Sequence, residues 1–263
     1  MRFHRIWALF MRHLYLYKRS LPRLMEIFYW PFLDLLLWGF ISLYLVRFRE
    51  GMPNFVAFLL GALILWDILF RSQQGISVSF LEDVWARNLL NLFASPLKPM
   101  EYISALVLVS FFKITIAGAV LSLLAWLLYS FNIFVIGISL IPFILSLVVL
   151  GLAIGIFTTS LILRFGQQAE VLAWGIALIF QPVSAVFYPV SVLPPFLQAV
   201  ARYVPASYIF EGMRAVVTTG KFPLTELLWS FGLDAVYLLA ALLIFCRVLR
   251  VVRKLGLLAR VGE

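Results

Sequence analysis

Long apolar runs dominate the chain, and short half-polar stretches interrupt them. A helix needs about 20 apolar residues to cross roughly 30 Å of hydrocarbon. Six runs approach that length: 27–46, 55–70, 103–129, 133–163, 171–190 and 224–249. The second is short and can continue to about residue 80. The third and fourth are long enough to tilt or bend, and Pro142 offers a kink. None alternates strictly between apolar and polar, so the pattern predicts helices rather than barrel strands. The expected fold is an all-α integral membrane protein, a single domain over 1–263 with six transmembrane helices.

Three stretches between or before the runs have a different pattern. In residues 1–22, Phe3, Ile6, Trp7, Phe10, Leu14 and Tyr17 recur at spacings of three and four, with Arg2, Arg5, Arg12 and Arg19 largely elsewhere. This predicts an amphipathic helix in the membrane interface, resting on lipid or also touching a partner. No unbroken apolar core or cleavage site marks it as a signal peptide. The second stretch, "FLEDVWARNLLNLFASPLKPMEY" (80–102), joins the second and third runs. Read as a helix over 82–95, it gathers Val84, Trp85, Leu89, Leu92 and Phe93 on one side. Glu82, Asp83, Arg87, Asn88 and Asn91 supply the polar part, with Asp83 and Arg87 at the i,i+4 spacing of an ion pair. Pro96 and Pro99 end it. Leu90 is an apolar residue on the polar face, as a docking knob would be. The third stretch, 191–223, holds two short helical patterns separated by Pro205, neither long enough to span. It reads as a re-entrant segment or as a folded loop.

Composition agrees with the membrane reading. The chain is 64% hydrophobic and only 13% charged, against about 25% charged in soluble domains. Its net charge of +9 is concentrated at the ends and in certain loops, which fits the positive-inside rule and anionic lipid rather than nucleic acid. With the N-terminus inside, fifteen Lys and Arg fall on the inner side and five, including Arg47 and Arg49, on the outer. Both termini are therefore expected in the cytoplasm. Lone Cys246 can form no internal disulfide, and His4 and His13 with no Cys/His cluster suggest no metal site.

The order of these features resembles the permease subunits of type-2 ABC exporters. "ASPLKPMEY" at 94–102 is similar to the end of that family's cytoplasmic coupling helix. The amphipathic N-terminus looks like its interface helix. "YKRS" at 17–20 followed by Pro31 is similar to the polysaccharide-exporting branch. "YPVSVLPPFLQAVARYVPASYIFEGMR" at 188–214 resembles its outer re-entrant hairpin, with Pro194, Pro195, Pro205 and Glu211 at the expected places. Many relatives carry Gly-Thr where this chain has Arg87 and Asn88. The resemblance implies an exporter in the prokaryotic plasma (inner) membrane, two permeases (a homodimer) with two ABC ATPase subunits, and a lipid-linked glycan, lipid or drug as substrate. Membrane lipids are the other expected partners.

The chain carries no P-loop: its one Gly-Lys pair, Gly220-Lys221, is followed by Phe222 and has no glycine five residues before. H-E-x-x-H and G-x-S-x-G are absent as well. The expectation is a non-catalytic permease with no cofactor of its own, ATP and magnesium residing on the partner ATPase. Asp34, Asp67, Lys113 and Asp234 fall inside or near the apolar runs. They keep an ion-coupled secondary transporter as the alternative. By depth, Lys113 is expected to pair with Asp34, with Asp234 as the second candidate. Gly151 and Gly155 form a GxxxG that packs helices within one chain or between two. Aromatic residues, 16% of the chain, serve an interfacial belt or line a conduit.

Overall fold

The computed structural model describes residues 2–48 and 55–256; Arg49 and Arg260, counted above for orientation, lie outside the described residues. Every regular element among the described residues is helical. The helices are α1 (Phe3–Lys18), α2 (Leu21–Phe48), α3 (Phe55–Trp85), α4 (Leu89–Ala94), α5 (Pro99–Tyr129), α6 (Leu140–Phe165), α7 (Leu172–Val183), α8 (Pro195–Ala201), α9 (Pro205–Thr219) and α10 (Leu224–Lys254). A 3₁₀ segment, Ile133–Ser139, precedes α6.

Four stretches are long and apolar enough to cross a membrane: Leu21–Tyr44, Pro99–Tyr129, Ile133–Phe165 and Leu224–Lys254. α3 has the length, about 46 Å at 1.5 Å per residue. Its second half, however, carries Arg71, Gln73, Gln74, Glu82 and Asp83. α7 is shorter than the apolar run that predicted it: the helix ends at Val183, with Pro182 in its last turn and Ala185 at φ 52 just beyond. Its 12 residues reach about 18 Å. The bend expected at Pro142 lies instead at Gly137, where φ is 64. Pro142 sits in the first turn of α6, where its missing N–H is not needed.

α6 is the centre of the fold, packed against α3 on one side and α10 on the other. Glycines set the α3–α6 distance. A Cβ on Gly151 would stand 2.4 Å from Ser72 Cβ, and one on Gly155 would stand 2.8 Å from the Gln73 carbonyl oxygen. The GxxxG thus joins two helices of the same chain. α3 approaches α5 as closely: Ser110 donates to the Ser72 carbonyl at 3.0 Å, opposite Gly75. The polar run of α3 is therefore interior. Gln73 donates to the Ala173 carbonyl at 3.1 Å, tying α3 to α7.

The 191–223 stretch folds as a 3₁₀ turn (Val190–Val192) followed by α8 and α9. Pro195 and Pro205 open these two helices, where a fixed φ and absent donor suit the first helical position. Pro194 precedes the first in an extended conformation.

Candidate functional site

Two places concentrate polar chemistry. The first lies where α1, α3 and α5 meet. The C-terminal turn of α3 presents Glu82 and Asp83 inward, both buried. Arg12 of α1 donates to Asp83 Oδ1 at 2.6 Å and Tyr102 of α5 donates to Asp83 Oδ2 at 2.7 Å. Arg23 lies 3.2 Å from Glu82. His13, fully buried, has its nitrogens 3.9 Å from Glu82 and 4.0 Å from Asp83. In the first turn of α5, Glu101 reaches back to accept the Lys98 N–H at 3.0 Å and accepts the Arg2 N–H at 2.8 Å. Arg5 reaches both Glu101 and the Pro96 carbonyl.

This arrangement corrects two expectations. The i,i+4 pair between Asp83 and Arg87 is replaced by the tertiary pair Asp83–Arg12, because Asp83 points into the α1 contact. The helix expected over 82–95 is two pieces. Residues 82–85 finish α3, Arg87 takes φ 50, and α4 restarts at Leu89. The break is a Schellman turn: Asn88 N–H bonds the Asp83 carbonyl at 3.0 Å and Arg87 N–H the Val84 carbonyl at 2.9 Å. Arg87 therefore occupies the left-handed position that glycine fills most easily. The buried stripe of α1 is also offset from the one expected. Ile6, Leu9, His13 and Tyr17 face the protein, while Phe3 and Trp7 are exposed.

The turn and α4 project a small knuckle. Arg87 and Asn91 are exposed, and Leu90 is 51% exposed despite being apolar. Pro96 is exposed at its end; Asn88 is half-buried and accepts from the Asn91 amide at 3.5 Å. Leu89, one residue before Leu90, is buried and anchors α4 to the core. Trp85 donates to Glu170 at 3.2 Å, which ties the knuckle to the loop after α6.

The second place is a cavity of about 480 Å³ between α2, α3 and α7. Asp34, Trp38, Trp66, Asp67, Phe187 and Tyr188 are among its lining. Asp67 pairs with Arg71 at 3.3 Å. Asp34 is exposed about 20 Å along α2 from Leu21. A charge at that depth facing hydrocarbon costs about 3 kcal/mol on insertion scales, so this face of α2 belongs to water or protein.

The four intramembrane charges thus occupy three separate places. Asp34 and Asp67 share the cavity. Lys113 is elsewhere, 3.5 Å from Ser79 Oγ and 4.6 Å over the Tyr17 ring, at the α1–α3–α5 junction. The expected Lys113–Asp34 pairing gives way to that junction. Asp234 is buried between α6 and α10, where Ser146 donates to it at 2.5 Å. Ser146 also meets Ser230 at 2.6 Å, and Ser230 donates to the Pro205 carbonyl at 3.0 Å. Asp234 therefore sits in a helix-packing network rather than in the cavity. In the hairpin, Glu211 accepts the Val190 N–H at 2.7 Å and pairs with Arg214 at 3.0 Å.

Sequence reasoning missed Arg12, His13, Arg23, Glu101 and Tyr102 as members of the junction. Glu101 had a signal, since it stands three residues after Lys98 and just after Pro99, at the start of an apolar run.

A family model described as ABC-2 type transporter matches residues 4–218. A search of the curated proteins finds no match.

Proposed function

The chain belongs to the ABC-2 type transporter family as a permease subunit, and from that premise we propose that it forms the membrane pathway of an ATP-driven exporter whose ATPase is a separate chain. The observation that carries this reading is the knuckle at Arg87, Leu90 and Asn91. An apolar side chain half exposed beside an exposed cation, on a turn braced by ion pairs to buried carboxylates, suits docking to a soluble partner. The bracing matters for coupling. Force applied to α4 passes through the Schellman turn into α3, and through Asp83 and Arg12 into α1. A rigid knuckle transmits a partner's movement, whereas a loose loop absorbs it.

In this reading α1 and α4 lie on the cytoplasmic side with both termini. α3 makes a fifth crossing, its polar residues facing protein rather than lipid, and α7 together with the residues on either side of it (166–190) makes the sixth, since its own 12 residues reach only about 18 Å. The α8–α9 hairpin lies on the outer side. Two permeases and two ATPases make the working unit in a prokaryotic plasma membrane. ATP and magnesium belong to the ATPase.

Coexpression with the ATPase encoded beside the permease tests the proposal. The two are expected to copurify, and ATP hydrolysis by the pair in lipid is expected to respond to the permease. Failure to copurify with any coexpressed ABC ATPase, with the permease itself intact and monodisperse, would overturn it.

A further inference from the structure

Resting on the exporter reading above, we propose that the α2–α3–α7 cavity is a binding site for a monovalent lipophilic organic cation, and that this is the chemical class the protein carries. A second cavity, about 680 Å³ between α3, α5 and the 3₁₀ segment, is roomier and has no charged side chain in its lining among the described residues. Among the described residues, the α2–α3–α7 cavity is lined by two carboxylates, Asp34 and Asp67, and by no basic residue. Arg71, from outside the lining, pairs with Asp67 and neutralises one of them. Asp34 makes no direct hydrogen bond or ion pair among the described residues, and Arg71, committed to Asp67 at 3.3 Å, acts on it only from a distance. One negative charge is left over, on a side chain that opens into the space.

The rest of the lining suits the same ligand. Trp38 and Trp66, of the ring type that attracts cations most strongly, are both in its lining. Trp38 stacks on Phe187 at 4.3 Å, which fixes a flat aromatic wall on the α2 side, and Tyr188 stands beside it. Pro31, Asp34 and Trp38 form one stripe of α2 at spacings of three and four, so carboxylate and aromatic wall face the same way. A volume of about 480 Å³ is in the range of sites for small organic ligands. A phosphate-linked lipid would bring like charge to Asp34, so the site discriminates against it.

Tetraphenylphosphonium and tetraphenylborate have the same shape and opposite charge. Uptake of each by the full chain in lipid nanodiscs, above the uptake of protein-free nanodiscs, reads the proposal directly. Wild-type protein is expected to bind the phosphonium saturably, with saturable borate binding absent. Asp34→Asn is expected to weaken phosphonium binding roughly tenfold, and Asp34→Glu to retain it. Equal phosphonium binding by wild type and Asp34→Asn, or saturable borate binding of similar strength, would overturn the proposal. The measurement needs no ATPase. Phosphonium binding without any ATPase partner leaves the cation site standing and removes the exporter. Copurification of the ATPase without phosphonium binding does the reverse.

Discussion

Asp83 at the end of α3 and Arg12 in the middle of α1 lie 2.6 Å apart, although 71 residues separate them in the chain. Asp83 is fully buried, while Arg12 keeps 31% of its side chain exposed. The pair has unequal ends. Arg12 can be resolvated when its partner is lost, but Asp83 cannot. Asp83 also accepts from Tyr102, so its carboxylate joins α1, α3 and α5 at one point. Arg12→Ala is expected to destabilise the protein by about 3 kcal/mol, because it strands the buried Asp83 carboxylate, and Asp83→Ala by about 1–2 kcal/mol, because Arg12 regains water and only the Tyr102 hydroxyl loses its acceptor. A double-mutant cycle on thermal unfolding in detergent should give a coupling of about 1 kcal/mol. A coupling near zero would mean the contact holds nothing together.

Gly151 and Gly155 fix the distance between α3 and α6. Gly151→Leu and Gly155→Leu are expected to lower stability by about 1–3 kcal/mol each, through overpacking against Ser72 and Gln73. Gly118→Ala and Gly175→Ala make controls, since a Cβ at either meets nothing within 4 Å. Oligomeric state is the second readout. Because the two glycines serve a contact inside the chain, Gly151→Leu should unfold the protein without first converting a dimer to monomers.

How much of this was legible in the sequence depends on where each residue's partner lies. α5 and α10 follow directly from unbroken apolar runs, and the end of the third expected crossing, Tyr129, is the end of α5. α3 was harder. Its apolar run stops near Phe70, with continuation expected to about residue 80; the helix runs on to Trp85. The polar side chains beyond Phe70 are buried against α5, α6 and α7, where Gln73 donates to the Ala173 carbonyl and the Ser72 carbonyl accepts from Ser110. Composition marks such a stretch as a boundary, and only tertiary contacts reveal it as interior. The basic residues of α1 present the same difficulty. Spacing places Arg12 off the apolar face, and lipid headgroups are an adequate partner for it. Nothing local indicates an acid 71 positions away. The expected Asp83–Arg87 pair had correct helical spacing, but the helix ends between the two residues. The cavity was half legible: Asp34 and Asp67 stood out as charges in apolar runs, while the aromatic wall of Trp38 and Phe187 joins residues 149 positions apart.

Arg87 is strained and Leu90 is not, so the two separate stability from docking. Arg87 holds φ 50 at the C-terminus of α3. Arg87→Gly is expected to raise stability by up to about 1 kcal/mol, the left-handed penalty less the added entropy of the unfolded chain. Thermal unfolding of the purified permease measures it. Leu90→Asp is expected to leave unfolding unchanged, since Leu90 is 51% exposed, and to weaken ATPase association by about 2 kcal/mol, roughly thirtyfold. Intact ATPase binding in Leu90→Asp would place the docking surface elsewhere.

The hairpin of α8 and α9 gives the sharpest test of which way the chain lies in the membrane. Its two helices have 7 and 15 residues, too short to span about 30 Å. They are braced from within. Gln198 donates to the Leu193 carbonyl at 2.8 Å, and Glu211 holds the Val190 N–H and Arg214. Arg214 in turn stands over the Phe58 ring of α3 at 5.3 Å. Cysteines for labelling are therefore best placed off this brace. Ala199 and Thr218 are both exposed, and Thr218 bonds only carbonyls of its own helix. In a Cys246→Ala background, Ala199→Cys and Thr218→Cys are expected to react with a membrane-impermeant maleimide added to intact cells. Asn91→Cys on the knuckle is expected to react only after the membrane is opened. Glu211→Gln adds a structural arm, because it removes the charge facing Arg214 while keeping the shape. It should loosen the hairpin and speed labelling at Ala199→Cys without changing the side from which it is labelled. Labelling of the hairpin cysteines only after lysis would invert the orientation and place the knuckle outside, away from any cytoplasmic ATPase.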